Sequence, residues 1–267
     1  MTEKLMEIRD VTQRFRNAER EVVAVSRVSV QVDAGSVTCL VGESGSGKTT
    51  LARIAAGLDK PTAGSIHYRG QDISQLRGPD FMRFRREVQY VHQDPYASLN
   101  PTRTVLSTVL SALGARRNRT RRRATELLER VELTPADLFL ERYPHQLSGG
   151  QRQRVALARA LATEPALIIA DETTSMLDAS IRGSMINLLS ELRDDLGVGF
   201  LFITHDFTLA RHFAWRGRTA VLYLGELVEY GPTPEVMDAP RHAYTKALID
   251  ALPMIRFDDA DVPDGAP

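Results

Sequence analysis

The chain has 267 residues, 43% hydrophobic and 25% charged, with 34 lysines and arginines balanced by 34 aspartates and glutamates. That composition suits a globular protein with a substantial core, and its neutrality excludes broad electrostatic attraction to nucleic acid or anionic lipid. A single cysteine, Cys39, excludes an internal disulfide, a cysteine zinc site and a protein-ligated iron–sulfur cluster, and is compatible with a reducing compartment.

No apolar run approaches the roughly 18 residues of a membrane helix, and the N-terminus has no apolar signal region, so a cytoplasmic protein is expected. In chain order, residues 5–9 and 28–32 alternate apolar and polar side chains. They predict two strands of a half-exposed antiparallel sheet, with Phe15 between them. Residues 37–41 are apolar and β-branched and predict a buried strand. Gly42, Glu43, Ser44, Gly45, Ser46, Gly47, Lys48 and Thr49 follow, matching the phosphate-loop pattern G-x-x-x-x-G-K-[ST]. Residues 49–57 then predict a helix closed by glycine.

Strand, glycine-rich turn and helix start are the context this pattern needs. The glycines let backbone N–H groups turn inward around an anion, and the helix N-terminus adds partial positive charge. Lys48 would reach the β- and γ-phosphates and the Thr49 hydroxyl would ligate Mg²⁺, with the adjacent Thr50 counted among the nucleotide-binding positions. Chance produces the pattern in about one chain of this length in a hundred, so a nucleotide site outweighs an incidental turn.

Residues 61–64 predict a turn and 65–68 a short strand. Residues 88–92 predict a strand that runs into Gln93, Asp94 and Pro95. From about 94 to 147 the β signal disappears, and 104–113, 120–131 and 135–140 have helical spacing, so a small helical unit is inserted there. Its run Arg116-Arg117-Asn118-Arg119-Thr120-Arg121-Arg122-Arg123 is the most charged in the chain. No aromatics interleave it, which favours the solvated start of a helix over a nucleic-acid contact. Residues 150–163 predict a helix leading to the apolar strand 166–170. Helix 179–196 leads to strand 200–203, and a further helix to strand 219–223. Wholly apolar strands alternating with helices imply an α/β fold whose core sheet is mostly parallel and covered on both faces. The acidic, proline-containing residues 253–267 read as a disordered tail, which leaves 1–252 as the folded domain.

Asp171 and Glu172 follow an apolar strand directly, and a carboxylate at the C-terminal end of a parallel strand points into the crevice where such sheets bind ligands. Asp171 would hold Mg²⁺ opposite Thr49, and Glu172 could polarise the water that attacks the γ-phosphate. Leu147, Ser148, Gly149, Gly150 and Gln151 stand at the start of a predicted helix, which makes a second anion site. One chain has no obvious need for two phosphate cradles. Two chains do, because each can present this segment to nucleotide on the other's phosphate loop.

With these residues in order, the sequence resembles the ATP-binding subunits of ABC transporters over nearly its whole length. The resemblance implies a P-loop NTPase of the ABC type, with an antiparallel β subdomain and an inserted helical subdomain. It also implies that Gln93 contacts Mg²⁺ and senses membrane subunits, and that Asp178 is the acid of a loop crossing the dimer interface. His205 corresponds to the switch histidine at the γ-phosphate and Phe15 to the aromatic that stacks on adenine. A closer resemblance, to the peptide/nickel branch of importers, rests on Gln93-Asp94-Pro95-Tyr96-Ala97-Ser98-Leu99-Asn100-Pro101 and on Pro240-Arg241-His242-Ala243-Tyr244-Thr245-Lys246-Ala247-Leu248. The first run would face the membrane subunits. The second reads, from its residues alone, as a helix packing on the domain. Thr173 and Met176 depart from the proline and alanine usual in this branch, and neither removes a ligand.

The resemblance implies ATP and Mg²⁺ as cofactors and a second ATP-binding subunit, identical or homologous. It further implies two transmembrane permease subunits, an extracytoplasmic binding protein met only indirectly, and a place on the cytoplasmic face of the cell membrane. Di- and oligopeptides are the expected cargo, with nickel, its chelates and some oligosaccharides as alternatives within the branch. A soluble ABC ATPase acting on ribosomes or DNA would show tandem units, a coiled-coil insert or zinc cysteines. A small-molecule kinase would have no use for residues 147–151.

Overall fold

A computed structural model describes residues 3–17, 20–94, 98–113, 120–175 and 178–251. The tail expected at 253–267, Arg116 to Arg119 of the basic run, Met176 and residues 95–97 of the Gln93 run lie outside them.

The chain opens with a long hairpin, β1 (Lys4–Asn17) and β2 (Arg20–Asp33), in place of the two short strands expected at 5–9 and 28–32. Phe15 therefore lies on β1, opposite Val22, and not in a connection between strands. The hairpin joins β4 (Ala63–Tyr68) and β5 (Gln71–Asp72) in an antiparallel sheet of order β2-β1-β4-β5.

The second sheet has the order β10-β9-β3-β8-β7-β6. Its members are β3 (Val37–Val41), β6 (Val88–Val91), β7 (Leu167–Asp171), β8 (Gly199–Thr204), β9 (Arg218–Tyr223) and β10 (Glu226–Pro232). Only β10 runs antiparallel to its neighbour. Every residue of β3, β7 and β8 is buried, because each face has its own core. Cys39, Val41, Ile168, Ala170, Phe200 and Phe202 enter one core, while Leu40, Leu167, Ile169, Leu201 and Ile203 enter the other. Side chains alternate with period two, so burial on both faces yields the unbroken apolar runs seen in the sequence.

The second core also takes Leu51 and Ile54 of α1 (Lys48–Ala55) and Val11, Val25 and Val28 of the hairpin. The chain reaches β6 through α2 (Gly78–Glu87). The first core takes α3 (Val105–Leu113), α4 (Arg121–Arg130), α5 (Asp137–Leu140), α6 (Gly149–Leu161) and α7 (Ala179–Leu196). It also takes α8 (Phe207–Ala214), whose Phe213 meets Phe200 and Phe202 edge-on at 5.2 Å each. Each such aromatic pair adds about 0.5–1.5 kcal/mol beyond its buried area. At the start of α4, Thr120 accepts the Arg123 amide, and Arg121 pairs with Glu141 at 2.6 Å. The described part of the basic run thus caps and pairs its own helical unit. After β10 the chain forms α9 (Thr233–Asp238) and α10 (Ala243–Asp250).

Candidate functional site

The parallel register brings the C-terminal ends of four strands into a row. Val41 pairs with Thr204, Asp171 with Ile203, and Val91 with Ala170. Gly42, His205, Asp171-Glu172 and Gln93 follow from β3, β8, β7 and β6 along one edge of the sheet.

The loop Gly42–Gly47 passes into α1 at Lys48, with Gly47 as N-cap at φ 101°. A Cβ at Gly47 would stand 2.2 Å from the Ala24 carbonyl oxygen of β2, and one at Gly42 would stand 2.2 Å from that of Leu222 on β9. Only glycine lets the loop lie this close to two other backbones. Ser46 Oγ is buried in the loop without a hydrogen-bond partner.

Lys48 is 3% exposed, and its ammonium donates to the carbonyl oxygens of Gly42 and Glu43 at 2.7 Å each. Burial lowers its pKa, against the opposing pull of Glu172, Asp171 and Glu43. Thr49 Oγ1 donates to Asp171 Oδ1 at 3.1 Å, and the Tyr90 hydroxyl donates to Asp171 Oδ2 at 2.5 Å. Burial first, and then the Asp171 charge, push the Tyr90 hydroxyl far above its ordinary pKa, so it serves as a donor.

Glu172 has φ 45°, a left-handed conformation uncommon for a side-chain-bearing residue and a feature of strained functional turns. Its amide donates to the Ile203 carbonyl at 3.0 Å, and its carbonyl accepts the Ser175 amide and hydroxyl. The carboxylate so placed accepts Gln93 Nε2 at 2.8 Å and lies 3.9 Å from both Lys48 Nζ and His205 Nδ1. His205 is half-exposed.

The remaining expected residues stand apart from this cluster. Ser148 caps α6, accepting the Gln151 amide at 3.2 Å while Gln151 Oε1 accepts the Ser148 amide at 3.0 Å. This reciprocal box, next to Leu147 at the end of a 3₁₀ turn, uses Ser148 and Gln151 locally. The amides of Gly149 and Gly150, in the first helical turn, have no partner within the helix. A Cβ on Gly149 would meet nothing within 4 Å, so this chain's own packing does not call for glycine there. Asp178 is the exposed N-cap of α7, and its side chain makes no capping bond. Phe15 is 48% exposed on β1, opposite the strand whose Ala24 abuts Gly47.

Two tyrosines join the site that the sequence had not singled out. Tyr90 lies on β6, which the sequence predicts only as a strand running into Gln93. Tyr244 belongs to the motif at 240–248, expected only to pack on the domain, but its hydroxyl oxygen accepts the Glu43 amide hydrogen at 3.1 Å. The motif thus reaches the phosphate loop itself.

For a metal, the donor set at this edge is the Thr49 hydroxyl, the Asp171 carboxylate and the Gln93 amide oxygen. These are hard oxygen donors that suit Mg²⁺. Among the described residues no cluster of three His, Cys, Asp or Glu side chains could hold a metal by itself. A donor set this sparse fits an ion that shares its coordination with phosphate oxygens.

A phosphate loop on β3, an acid pair on the second strand beyond it and a capped glycine helix on the helical side define a P-loop cassette of the ATP-binding type. The comparisons agree. Residues 25–175 match the ABC transporter family and residues 228–265 the oligopeptide/dipeptide transporter C-terminal region. The chain belongs to the ABC transporter family.

It is 42% identical to the glutathione import ATP-binding protein GsiA of Escherichia coli strain K12, over 94% of this chain and 42% of that protein. The Pectobacterium atrosepticum protein of the same name is 41% identical over the same shares. The chain therefore spans about two fifths of the length of these curated relatives. Among solved structures, the dimeric post-hydrolysis ATP-binding cassette MJ0796 bound to ADP and Pi superposes with a TM-score of 0.76 at 33% identity. That match covers 86% of this chain and 99% of MJ0796. The cbiO1 protein of Clostridium perfringens, part of the cbiONQ transporter complex, gives 0.76 at 26% identity over 89% and 92%. Among the described residues no helix is long and apolar enough to cross a membrane.

Proposed function

We propose that this chain binds and hydrolyses ATP as the energy-supplying subunit of a membrane importer for small peptides. The observation that carries the reading is the row of strand ends, where Glu172 lies 3.9 Å from both Lys48 Nζ and His205 Nδ1 and is bonded to Gln93 at 2.8 Å.

Lys48 leaves the carbonyls of Gly42 and Glu43 for the β- and γ-phosphates, and the loop amides hold the remaining oxygens. Thr49, Asp171 and Gln93 hold Mg²⁺, which supplies charge stabilisation to the phosphate oxygens when bound. Glu172 accepts a proton from water as the water oxygen bonds to the γ-phosphorus. The bond from that phosphorus to the bridging oxygen breaks, giving ADP and phosphate. His205 orients the γ-phosphate, and Phe15 offers its exposed ring to the adenine.

Ser148, Gly149 and Gly150 act on nucleotide held by a second ATP-binding subunit, and Asp178 lines the same interface. The first-turn amides of α6, which have no partner within the helix, and the open space at Gly149 support this. The pair sits at the cytoplasmic face of the membrane, where two transmembrane permease subunits convert its closing and reopening into transport, and an extracytoplasmic binding protein delivers the cargo. Peptide cargo is supported by residues 228–265 and by relatives named for import of glutathione, itself a short peptide.

Glu172→Gln tests the reading. The variant should bind MgATP, form a stable dimer with its partner and lose nearly all steady-state hydrolysis. Hydrolysis at the parent rate would exclude Glu172 as the base.

A further inference from the structure

The C-terminal segment carries a chain of contacts that the reaction above leaves unused. Glu229 on β10 accepts the Arg241 amide at 2.8 Å and the His242 amide at 3.2 Å, which fixes the approach to α10. His242 caps that helix, its Nδ1 accepting the Tyr244 amide at 3.2 Å. The Tyr244 ring lies against Tyr223 at the end of β9, with centroids 4.1 Å apart. Its hydroxyl reaches the phosphate loop and accepts the Glu43 amide hydrogen at 3.1 Å.

The Glu43 N–H and the Gly42 C=O belong to one peptide unit. At its carbonyl end that unit accepts Lys48 Nζ at 2.7 Å, and at its amide end it donates to Tyr244. The plane is therefore held at both ends, and a peptide that donates while it accepts is polarised in both bonds. Orientation passes from a residue of the C-terminal helix, through one peptide plane, to the ammonium that must meet the phosphates.

We propose that Tyr244 is a positioning residue for the phosphate loop, holding the Gly42–Glu43 peptide so that the loop and Lys48 are preset for nucleotide. The inference rests on the reading that Gly42 to Thr49 hold the phosphates of ATP. Without the hydroxyl the plane is free to turn, and the nucleotide must order it on binding. That cost falls on affinity and not on the chemical step.

Tyr244→Phe in the full chain keeps the ring on Tyr223 and removes only the oxygen. The Kd and KM for MgATP should rise about three- to ten-fold, the range one lost hydrogen bond supports, with kcat within about two-fold of the parent. The Glu43 amide should exchange its hydrogen faster than in the parent. A structural role alone would lower Tm and kcat together with KM unchanged, and that result overturns the proposal. So does a raised KM with Glu43 exchange at the parent rate. Failure of the parent chain to bind ATP would remove the ATP reading alone; the Glu43 exchange rate then decides the Tyr244 contact by itself.

Discussion

Tyr90 donates its hydroxyl hydrogen to Asp171 Oδ2 at 2.5 Å, while the other carboxylate oxygen faces Thr49 at 3.1 Å. The two oxygens of one buried acid are thereby given different tasks. One is tethered to the neighbouring strand and the other is turned to the mouth of the phosphate loop. Hydrogen bonds to a charged group contribute about 1.5–3 kcal/mol, enough to fix a carboxylate's rotation.

Tyr90→Phe removes that tether and nothing else of size. The Mg²⁺ concentration for half-maximal hydrolysis should rise about ten-fold, the equivalent of one such bond at its weaker end. Titrating ATPase activity against Mg²⁺ at saturating ATP checks it. A titration that overlays the parent's would show that Asp171 keeps its orientation without Tyr90.

Much of this geometry was legible because its signals are local. Gly42 to Thr49 announce strand, turn and helix within a dozen residues, and 166–170 and 200–203 read as doubly buried strands because both faces meet a core. The hairpin reads short in the sequence because register shifts between Ile8 and Val11 and between Val11 and Gln13 break its alternation. Left-handed residues at Asp10 and Arg27 mark the same irregularity. Tyr90 counts as apolar in any periodicity, and only the pairing of β6 with β7 gives its hydroxyl a carboxylate. Tyr244 lies 201 positions from Glu43, so no window of sequence could join them.

Thr173 stands beside Glu172, 6% exposed, with its Oγ1 buried and without a hydrogen-bond partner. A buried hydroxyl that bonds to nothing destabilises the fold, and valine keeps its shape without the oxygen. Thr173→Val should therefore stabilise the nucleotide-free chain by about 1 kcal/mol, a rise in Tm of roughly 2–4 °C for a chain of this size. Thermal unfolding of parent and variant in parallel measures it. A lower Tm would mean that the hydroxyl is bonded after all.

Lys48 gives the site a pH dependence whose sign follows from its surroundings. Burial lowers its pKa in the folded chain below the unfolded value, and Glu172, Asp171 and Glu43 offset this only in part. The charged ammonium is thus disfavoured by folding. It lowers stability in full at pH values below its folded pKa, and the loss is relieved as pH rises from that value to the higher unfolded one. ATP reverses the balance, since phosphate oxygens beside Nζ favour the charged form. Between the lowered pKa of the free chain and the higher one of the complex, Lys48 must take up a proton as ATP binds. Affinity should then fall with rising pH across that window, and Lys48→Met, expected to bind more weakly, should lack this slope. Calorimetry at a neutral and an alkaline pH, in buffers of different ionisation enthalpy, counts the protons directly. Uptake should grow from the neutral to the alkaline pH; uptake that does not change between them would assign the proton to another group.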